Sequence, residues 1–260
     1  MLGNRTALVT GSFAGLGYGL ARALAGAGAN VVVHGLCDRE TGESSARNIA
    51  EETGAATMFS GADLRSIEEI EAMVAGIRAH FGALDIIVNN AVLRHFKPVE
   101  DFTAAEWDAS LAVNLSAAFH LARLAVPEMK TAGWGRIVNV SSIYGVRGAE
   151  NRIDYVTTKS ALLGMTRALA VELAKTGITC NAVSPGTVPT EAILTRIAAR
   201  AAAMGRTQAD AEADYLTGRN PTGRFVTIES VGAAILFLCG EAAKDITGAN
   251  LAIDGGWSAA

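Results

Sequence analysis

Short apolar segments alternate with longer amphipathic ones along most of the chain. Runs such as 30–34 are apolar throughout, as in strands buried on both faces, while 66–81 places Ile, Met and Val at helical spacing. The predicted strands cover 6–10, 30–34, 56–60, 85–88, 137–140, 179–183 and 250–253. The predicted helices cover 16–27, 39–53, 66–81, 103–132 with one break near 111–114, a segment starting near 154, and 228–238. This alternation predicts a parallel sheet covered by helices on both faces.

A glycine-rich turn separates the first strand from the first helix. It contains Gly11, Gly15 and Gly17, and a second strand follows directly at 30–34. Glycines allow a tight turn and a close approach of the backbone to a pyrophosphate, whose charge a helix N-terminus favours. In this strand–helix–strand context the turn predicts dinucleotide binding. We therefore predict an α/β, Rossmann-type, doubly wound parallel sheet forming a single domain over 1–260.

One segment interrupts the alternation. About forty residues without a predicted strand separate Gly186 from Ile228. Ligands in open α/β sheets bind beyond the carboxyl ends of the strands, so an insertion leaving that edge is well placed to cover a substrate. We predict that 187–224 form a helical substrate lid. The alternative is a solvent-facing helical excursion without a function.

The end of the second strand bears on the choice of nicotinamide cofactor. A carboxylate there would bind a ribose 2′-hydroxyl, and an arginine would bind a 2′-phosphate. This strand ends in His34-Gly35-Leu36, which contains neither a carboxylate nor an arginine. Leu36 offers no cation for a phosphate, so we predict NAD rather than NADP, although Asp38 and Arg39 follow closely and could favour either.

Tyr155 and Lys159 are candidates for proton transfer. They are four positions apart, so on a helix they share one face, and a neighbouring ammonium favours the ionised phenolate. Ser142 follows the predicted strand 137–140 and could present its hydroxyl beside the phenol. Taken alone, this spacing also fits an ordinary helix surface.

Composition excludes several classes of function. The 260-residue chain has a net charge of −4, which gives no electrostatic footprint for nucleic acid. Its three cysteines and four histidines show no paired ligand spacing, so we expect no metal site and a reducing, cytoplasmic location. No apolar stretch approaches the ~20 residues of a membrane span, and a strand begins too early to leave room for a signal peptide.

Several motifs together resemble the short-chain dehydrogenase/reductase family. They occur in the family's order and spacing over nearly the whole chain: the turn with Gly11, Gly15 and Gly17, then Asp63-Leu64, Asn89-Asn90-Ala91, Asn114, Ser142, Tyr155-x-x-x-Lys159 and Pro185-Gly186. The resemblance implies a homotetramer that moves hydride between nicotinamide and an alcohol/carbonyl pair. It also implies catalytic roles for Asn114, Ser142, Tyr155 and Lys159.

In the family pattern, Tyr155 would be the acid/base. Lys159 would favour its phenolate and hold the nicotinamide ribose, Ser142 would orient the carbonyl, and Asn114 would keep a water in the proton relay. The positions implied to contact the cofactor are Gly11, Phe13, Gly15, Leu16, Gly17, Leu36, Asp63, Leu64, Asn90, Val113, Tyr155, Lys159, Pro185, Gly186, Val188 and Thr190. One departure is Val92, which stands where the family usually has glycine and places a side chain near the ribose.

Within the family, the chain is most similar to bacterial 3-hydroxybutyrate dehydrogenases, but its substrate positions differ. Where that group holds a carboxylate with Gln, His, Lys and Gln, this chain has Arg94, Tyr144, Arg152 and Arg196, and Thr187 replaces a tryptophan. Arginine presents a planar fork suited to carboxylate, sulfonate or phosphate.

We therefore predict an anionic hydroxy compound, a hydroxy acid by default, bound by Arg94, Ser142, Tyr144, Arg152, Tyr155 and Arg196. If the arginines instead pair with Glu150, Asp154 or Glu191, a neutral polyol, sugar or ketone is the alternative. We expect Arg147 to be a surface charge. The intact catalytic set argues against a third hypothesis, a nucleotide-binding regulator that has lost catalysis.

Overall fold

A parallel sheet forms the centre of the computed structural model, which describes residues 2–260. Over that range its seven strands lie in the order β3-β2-β1-β4-β5-β6-β7, and all neighbours run parallel. They are β1 (Thr6–Val9), β2 (Asn30–His34), β3 (Thr57–Ser60), β4 (Ile86–Asn89), β5 (Gly135–Val140), β6 (Ile178–Pro185) and β7 (Asn250–Ile253). The order reverses between β1 and β4, which opens a crevice at the carboxyl ends of these strands. The predicted doubly wound fold is confirmed.

Helices cover both faces of the sheet. They are α1 (Gly15–Gly26), α2 (Arg39–Thr53), α3 (Ile67–Phe81), α4 (Ala104–Leu111), α5 (Ala117–Ala132), α6 (Ile153–Leu173), α7 (Glu191–Ala203), α8 (Gln208–Leu216) and α9 (Ile228–Cys239). The predicted bounds hold to within a few residues. The largest difference is at β6, which extends to Pro185 because its edge pairs with β7 as far as Ile253.

Alternation along β2 shows how the two cores form. Val31 and Val33 face one hydrophobic cluster, together with Leu20 of α1 and Ile235 of α9. Val32 faces the opposite cluster, which contains residues of α3 and α5. Because both faces of the strand are buried, the sequence shows an unbroken apolar run.

The predicted break near 111–114 is a π-helical turn, Ala112–Ser116, between α4 and α5. The helical path therefore continues from 104 to 132, long and apolar enough by length and composition to cross a membrane. Our expectation that no such stretch exists was wrong for this helix, because the turn does not interrupt it. Its apolar residues have a role within the fold, since Leu121, Ala125 and Met129 pack into the second core.

The insertion predicted at 187–224 contains α7 and α8 and no strand. Ile197, Ala201 and Ala211 form a small apolar cluster of their own, joined by Tyr215. The two helices thus pack mainly on each other. That they move as a lid remains a prediction.

The first turn of helix α1 packs closely against the glycine turn that follows β1. A Cβ added at Gly17 would overlap the carbonyl oxygen of Gly11 and the side-chain amide of Asn90. Both neighbours are held in place, because that amide donates to the carbonyl oxygens of Thr10 and Gly11 at 2.9 Å.

We expect Gly17→Ala to destabilise the protein by roughly 1–3 kcal/mol, since the turn must shift to admit the methyl group. Gly26→Ala is the matched control. It lies at the end of the same helix with nothing within 4 Å of an added Cβ, and it should be neutral or slightly stabilising. Urea unfolding of both variants would measure the difference, and equal stabilities would contradict this account of the turn.

Candidate functional site

The glycine turn offers backbone groups to an anion. Gly11 adopts a positive φ of 62°, a conformation that favours glycine. Helix α1 then begins at Gly15, and its N-cap residue Ala14 has no polar side chain to cap it, so the first amides keep their hydrogens for a ligand. A pyrophosphate is the group that such a turn and helix N-terminus bind well.

His34 holds the glycine turn in place through a hydrogen bond to its backbone, a role that the sequence analysis did not predict. Its Nδ1 accepts a hydrogen bond from the Gly11 amide at 3.1 Å, and its Nε2 donates to the Ala62 carbonyl at 2.9 Å. Burial lowers the pKa of His34, which keeps the imidazole neutral and able to accept at Nδ1. A histidine within an apolar strand was the available signal.

Two adjoining cavities follow the crevice and contain the predicted cofactor residues. One, of about 300 Å³, is lined by Phe13, Leu36, Asp63, Leu64 and Val113. The other, of about 520 Å³, is lined by Gly11, Phe13, Gly15, Leu16, Gly17, Asn90, Tyr155, Lys159, Pro185, Gly186, Val188 and Thr190.

The second cavity has an unsatisfied polar group and an unusual wall residue. The hydroxyl oxygen of Thr190 is buried without a hydrogen-bond partner in the described chain, as expected for a group that awaits a ligand. Val92 also lines this cavity, and its φ is not positive, so the departure from glycine costs no backbone strain. The turn, the uncapped helix and Thr190 together fit a dinucleotide.

Ser142, Tyr155 and Lys159 meet where this cavity joins a larger one. Ser142 and Tyr155 line both cavities. Lys159 is buried, its Nζ donates to the Val140 carbonyl at 2.6 Å, and this nitrogen lies 5.7 Å from the Tyr155 ring centre. Ser142 and Tyr155 therefore both face the place where the two cavities join.

Asn114 lies in the π-helical turn, buried behind this junction. Its side chain accepts from the Leu93 amide and donates to the Leu93 carbonyl, both at 2.7 Å, and donates to Thr158 Oγ1 at 3.2 Å. It thus joins three segments around the site. That Asn114 also keeps a water in the proton relay stays a prediction.

The larger cavity, about 700 Å³, is rich in arginine. All six predicted substrate residues line it: Arg94, Ser142, Tyr144, Arg152, Tyr155 and Arg196. Thr187 lines it too, as do Phe96, Tyr215, Arg219 and Trp257, which the prediction omitted. Arg147 is exposed at the rim, where it donates to the Trp257 carbonyl at 2.8 Å.

Arg152 is the most enclosed of these cations. Its guanidinium carbon lies 4.0 Å from the Phe96 ring centre and 5.0 Å from that of Tyr155. Its Nη1 is buried with no hydrogen-bond partner among residues 2–260, and burial lowers its pKa. A half-buried guanidinium with one buried, unsatisfied nitrogen is suited to an oxyanion.

The acids proposed as alternative partners do not neutralise the cavity. Within the described chain, Arg94, Arg152 and Arg196 take part in none of the ion pairs. Asp154 instead accepts from His95 Nδ1 and Ser110 Oγ, both at 2.9 Å. This contact ties the loop that carries Arg94 to helix α6.

Comparison with known proteins agrees with this geometry. A family model described as enoyl-(acyl carrier protein) reductase matches residues 11–258. The D-beta-hydroxybutyrate dehydrogenase of Cupriavidus necator is 41% identical over the full length of both chains. The chain belongs to the short-chain dehydrogenase/reductase family.

Other members of this short-chain family are also similar. The D-threitol dehydrogenase of Mycolicibacterium smegmatis is 33% identical over 99% of this chain and 94% of its own. The crystal structure of L-sorbose reductase from Gluconobacter frateurii, complexed with NADPH and L-sorbose, superposes with a TM-score of 0.95. It is 27% identical and covers 100% of this chain and 98% of its own. The protein is an oxidoreductase acting on CH–OH groups.

We expect Tyr155→Phe to lower turnover by about 10²–10⁴, because the ring stays in place while the proton-transferring oxygen is lost. Dinucleotide binding, followed by fluorescence titration, should persist. Tyr18→Phe on α1 is the control and should keep full activity. Near-normal turnover in Tyr155→Phe would exclude this residue as the acid/base.

The stability of the cofactor-free protein should rise with pH above neutrality because of Lys159. Burial, with a smaller effect from Arg94, lowers the pKa of this lysine from 10.5 to about 7. Between these values the unfolded chain binds the proton and the folded chain does not, so folding gains stability as pH rises. At about 1.4 kcal/mol per pKa unit, the cost of the buried charge below pH 7 is of the order of several kcal/mol.

In Lys159→Met this rise between pH 7 and 10 should largely disappear, as measured by denaturant unfolding across that range. Lys130→Met, at an exposed lysine of α5, should retain the wild-type pH dependence. Parallel curves for wild type and Lys159→Met would contradict the assigned cause.

Proposed function

We propose that the protein is an NAD-linked dehydrogenase of a small anionic hydroxy compound, a hydroxy acid by default. The observation that carries this proposal is the unsatisfied guanidinium of Arg152 beside Tyr155. An anion held there would bring a neighbouring hydroxyl to the Tyr155 oxygen. The similarity to a D-beta-hydroxybutyrate dehydrogenase supports the same substrate class.

Each residue then has a defined role in alcohol oxidation. Arg152 binds the acidic group, and Ser142 donates a hydrogen bond to the reacting oxygen. Tyr155 removes the hydroxyl proton, with the phenolate stabilised by the Lys159 ammonium. A bound nicotinamide dinucleotide supplies the hydride acceptor. Reduction of the carbonyl uses the same groups, with Tyr155 returning the proton.

Support for NAD over NADP comes from the end of β2. Leu36 is 65% exposed there and carries no charge for a 2′-phosphate. Asp38 caps α2 by accepting from the Thr41 amide at 2.8 Å, and Arg39 is paired with Glu43 at 2.6 Å. Arg65, which lines the same cavity as Leu36, is likewise paired with Asp63 at 2.5 Å, so both candidate cations are engaged already. The NADPH complex of the similar L-sorbose reductase supports the opposite choice, which makes the cofactor a necessary variable in any assay.

A neutral polyol or ketose is the second candidate, because the D-threitol dehydrogenase and L-sorbose reductase are similar over nearly the whole chain. In that case the cavity arginines would not contact the reacting compound directly. A cofactor-reduction screen over hydroxy acids, hydroxy-sulfonates and polyols, run with NAD and NADP in parallel, separates the two. Turnover of polyols alone would overturn our proposal.

For a substrate identified in that screen, we expect Arg152→Ala to raise KM roughly tenfold to a hundredfold, since a charge-assisted hydrogen bond is lost. The neutral alcohol that lacks the acidic group should change much less. Arg167→Ala, at an exposed position of the same helix, is the control and should leave both unchanged. Equal effects of Arg152→Ala on the charged and neutral compounds would remove the anion-binding role.

We further propose a homotetramer located in the cytoplasm. Apolar side chains exposed on one chain support the oligomer: Phe119 on α5, Val171 on α6, Phe237 on α9 and Leu251 on β7. Light scattering that gave a mass of one chain, 26.9 kDa, would contradict it.

A further inference from the structure

Two arginines of the lid share one tyrosine. The guanidinium carbon of Arg196 lies 5.6 Å from the Tyr215 ring centre and that of Arg219 lies 4.4 Å from it. Arg196 Nη2 also donates to the Tyr215 hydroxyl oxygen at 2.7 Å. Since that oxygen accepts, its own hydrogen remains available for an anion. We call Arg196, Tyr215 and Arg219 the lid cluster.

The positive charge of the lid cluster is not balanced by neighbouring acids. Neither arginine is among the ion pairs of residues 2–260, whereas Arg206, on the same insertion, pairs with Asp214. Five arginines line the whole cavity against one carboxylate, that of Glu150. This excess of cations stands out in a chain whose net charge is −4.

The lid cluster belongs to the insertion 187–224, whereas Arg152 directly precedes helix α6, and both lie within reach of one ligand. Phe96 lies beneath both, with its ring centre 4.0 Å from the guanidinium carbon of Arg152 and 5.7 Å from that of Arg196. These carbons are therefore less than about 10 Å apart. That separation is within the ~10 Å over which charges interact at 0.1 M salt.

The cavity is also larger than a four-carbon hydroxy acid requires. Its volume of about 700 Å³ falls in the range of sites for drug-sized ligands, roughly 300–1,000 Å³. A substrate with a single carboxylate, bound at Arg152, would leave the positive charges of Arg196 and Arg219 without a counter-charge. A second oxyanion on the same molecule would satisfy them.

We propose that the lid cluster is a second anion subsite, and that the substrate is a hydroxy compound with an acidic group at each end. This inference rests on the proposed function and narrows it. Arg152 holds the acidic group near the reacting carbon, and Arg196, Arg219 and the Tyr215 hydroxyl hold the distal carboxylate, sulfonate or phosphate. Because the cluster lies on α7, α8 and the residues after them, the distal group also holds the lid against the site.

The test compares two substrates that differ only at the far end, 3-hydroxyadipate and 3-hydroxyhexanoate. We expect the wild-type protein to show a kcat/KM roughly tenfold to a hundredfold higher for the dicarboxylate. Arg219→Ala should lose at least five times more kcat/KM for the dicarboxylate than for the monocarboxylate, and Arg219→Lys should restore part of it. Arg200→Ala, at an exposed position of α7 outside the cavity, should change neither.

Inhibition of the wild-type protein gives a second test that needs no variant. Adipate, which lacks the hydroxyl, should inhibit the wild-type protein at a lower concentration than hexanoate, whether or not an arginine variant folds well. Equal kcat/KM for the two hydroxy acids, with turnover still dependent on Arg152, would overturn the second subsite and leave the proposed function intact. Turnover of neither acid, with polyols oxidised, would overturn both.

Discussion

The side chain of Lys159 crosses from helix α6 to the last carbonyl of β5, where it donates to Val140 inside the protein. This buried contact joins β5 and α6, which are also linked by the hydrogen bond from Asn139 Nδ2 to Thr166 Oγ1 at 2.8 Å. Ser142 follows Val140 by two residues, and Tyr155 precedes Lys159 by one helical turn. A buried ammonium without a carboxylate is costly, so its position is strongly specified by the one carbonyl that it reaches and by the cofactor-binding space beside it.

Much of the fold could be predicted because burial on both faces leaves a clear pattern in the sequence. The bounds of β2 and α2 match the prediction, since apolar residues and helix-ending signals agree there. The course of 104–132 and the place of its break were predicted, but the π-helical form of the break was not, because one extra residue per turn leaves no mark in hydrophobic spacing. The expectation that no apolar stretch is long enough to span a membrane failed here because the π-helical turn continues the helix.

Some residues of the candidate site could likewise be predicted from the sequence, and others could not. Ser142 could be placed at the site from sequence because it follows a strand and parallel strands end at a common edge, and Tyr155 because the family motif places it beside Ser142. Arg219 and Tyr215 could not, because they reach the cavity through the packing of helices α7 and α8, which no strand end fixes. The structure also assigns His34 a supporting role that was not predicted: a histidine in an apolar strand signals a buried polar contact, but not that the partner is the amide of Gly11.

In the loop between β4 and α4, successive side chains have different roles: one anchors the loop, and its two neighbours line the cavity. His95 points inward to Asp154, while its neighbours Arg94 and Phe96 line the substrate cavity. The backbone is thus anchored by a residue that the substrate does not touch. Replacement of either flanking side chain can change what the cavity accepts without loss of the anchor. Such a loop allows new specificities to arise by single substitutions, which helps to explain how one scaffold came to serve hydroxy acids and sugars alike.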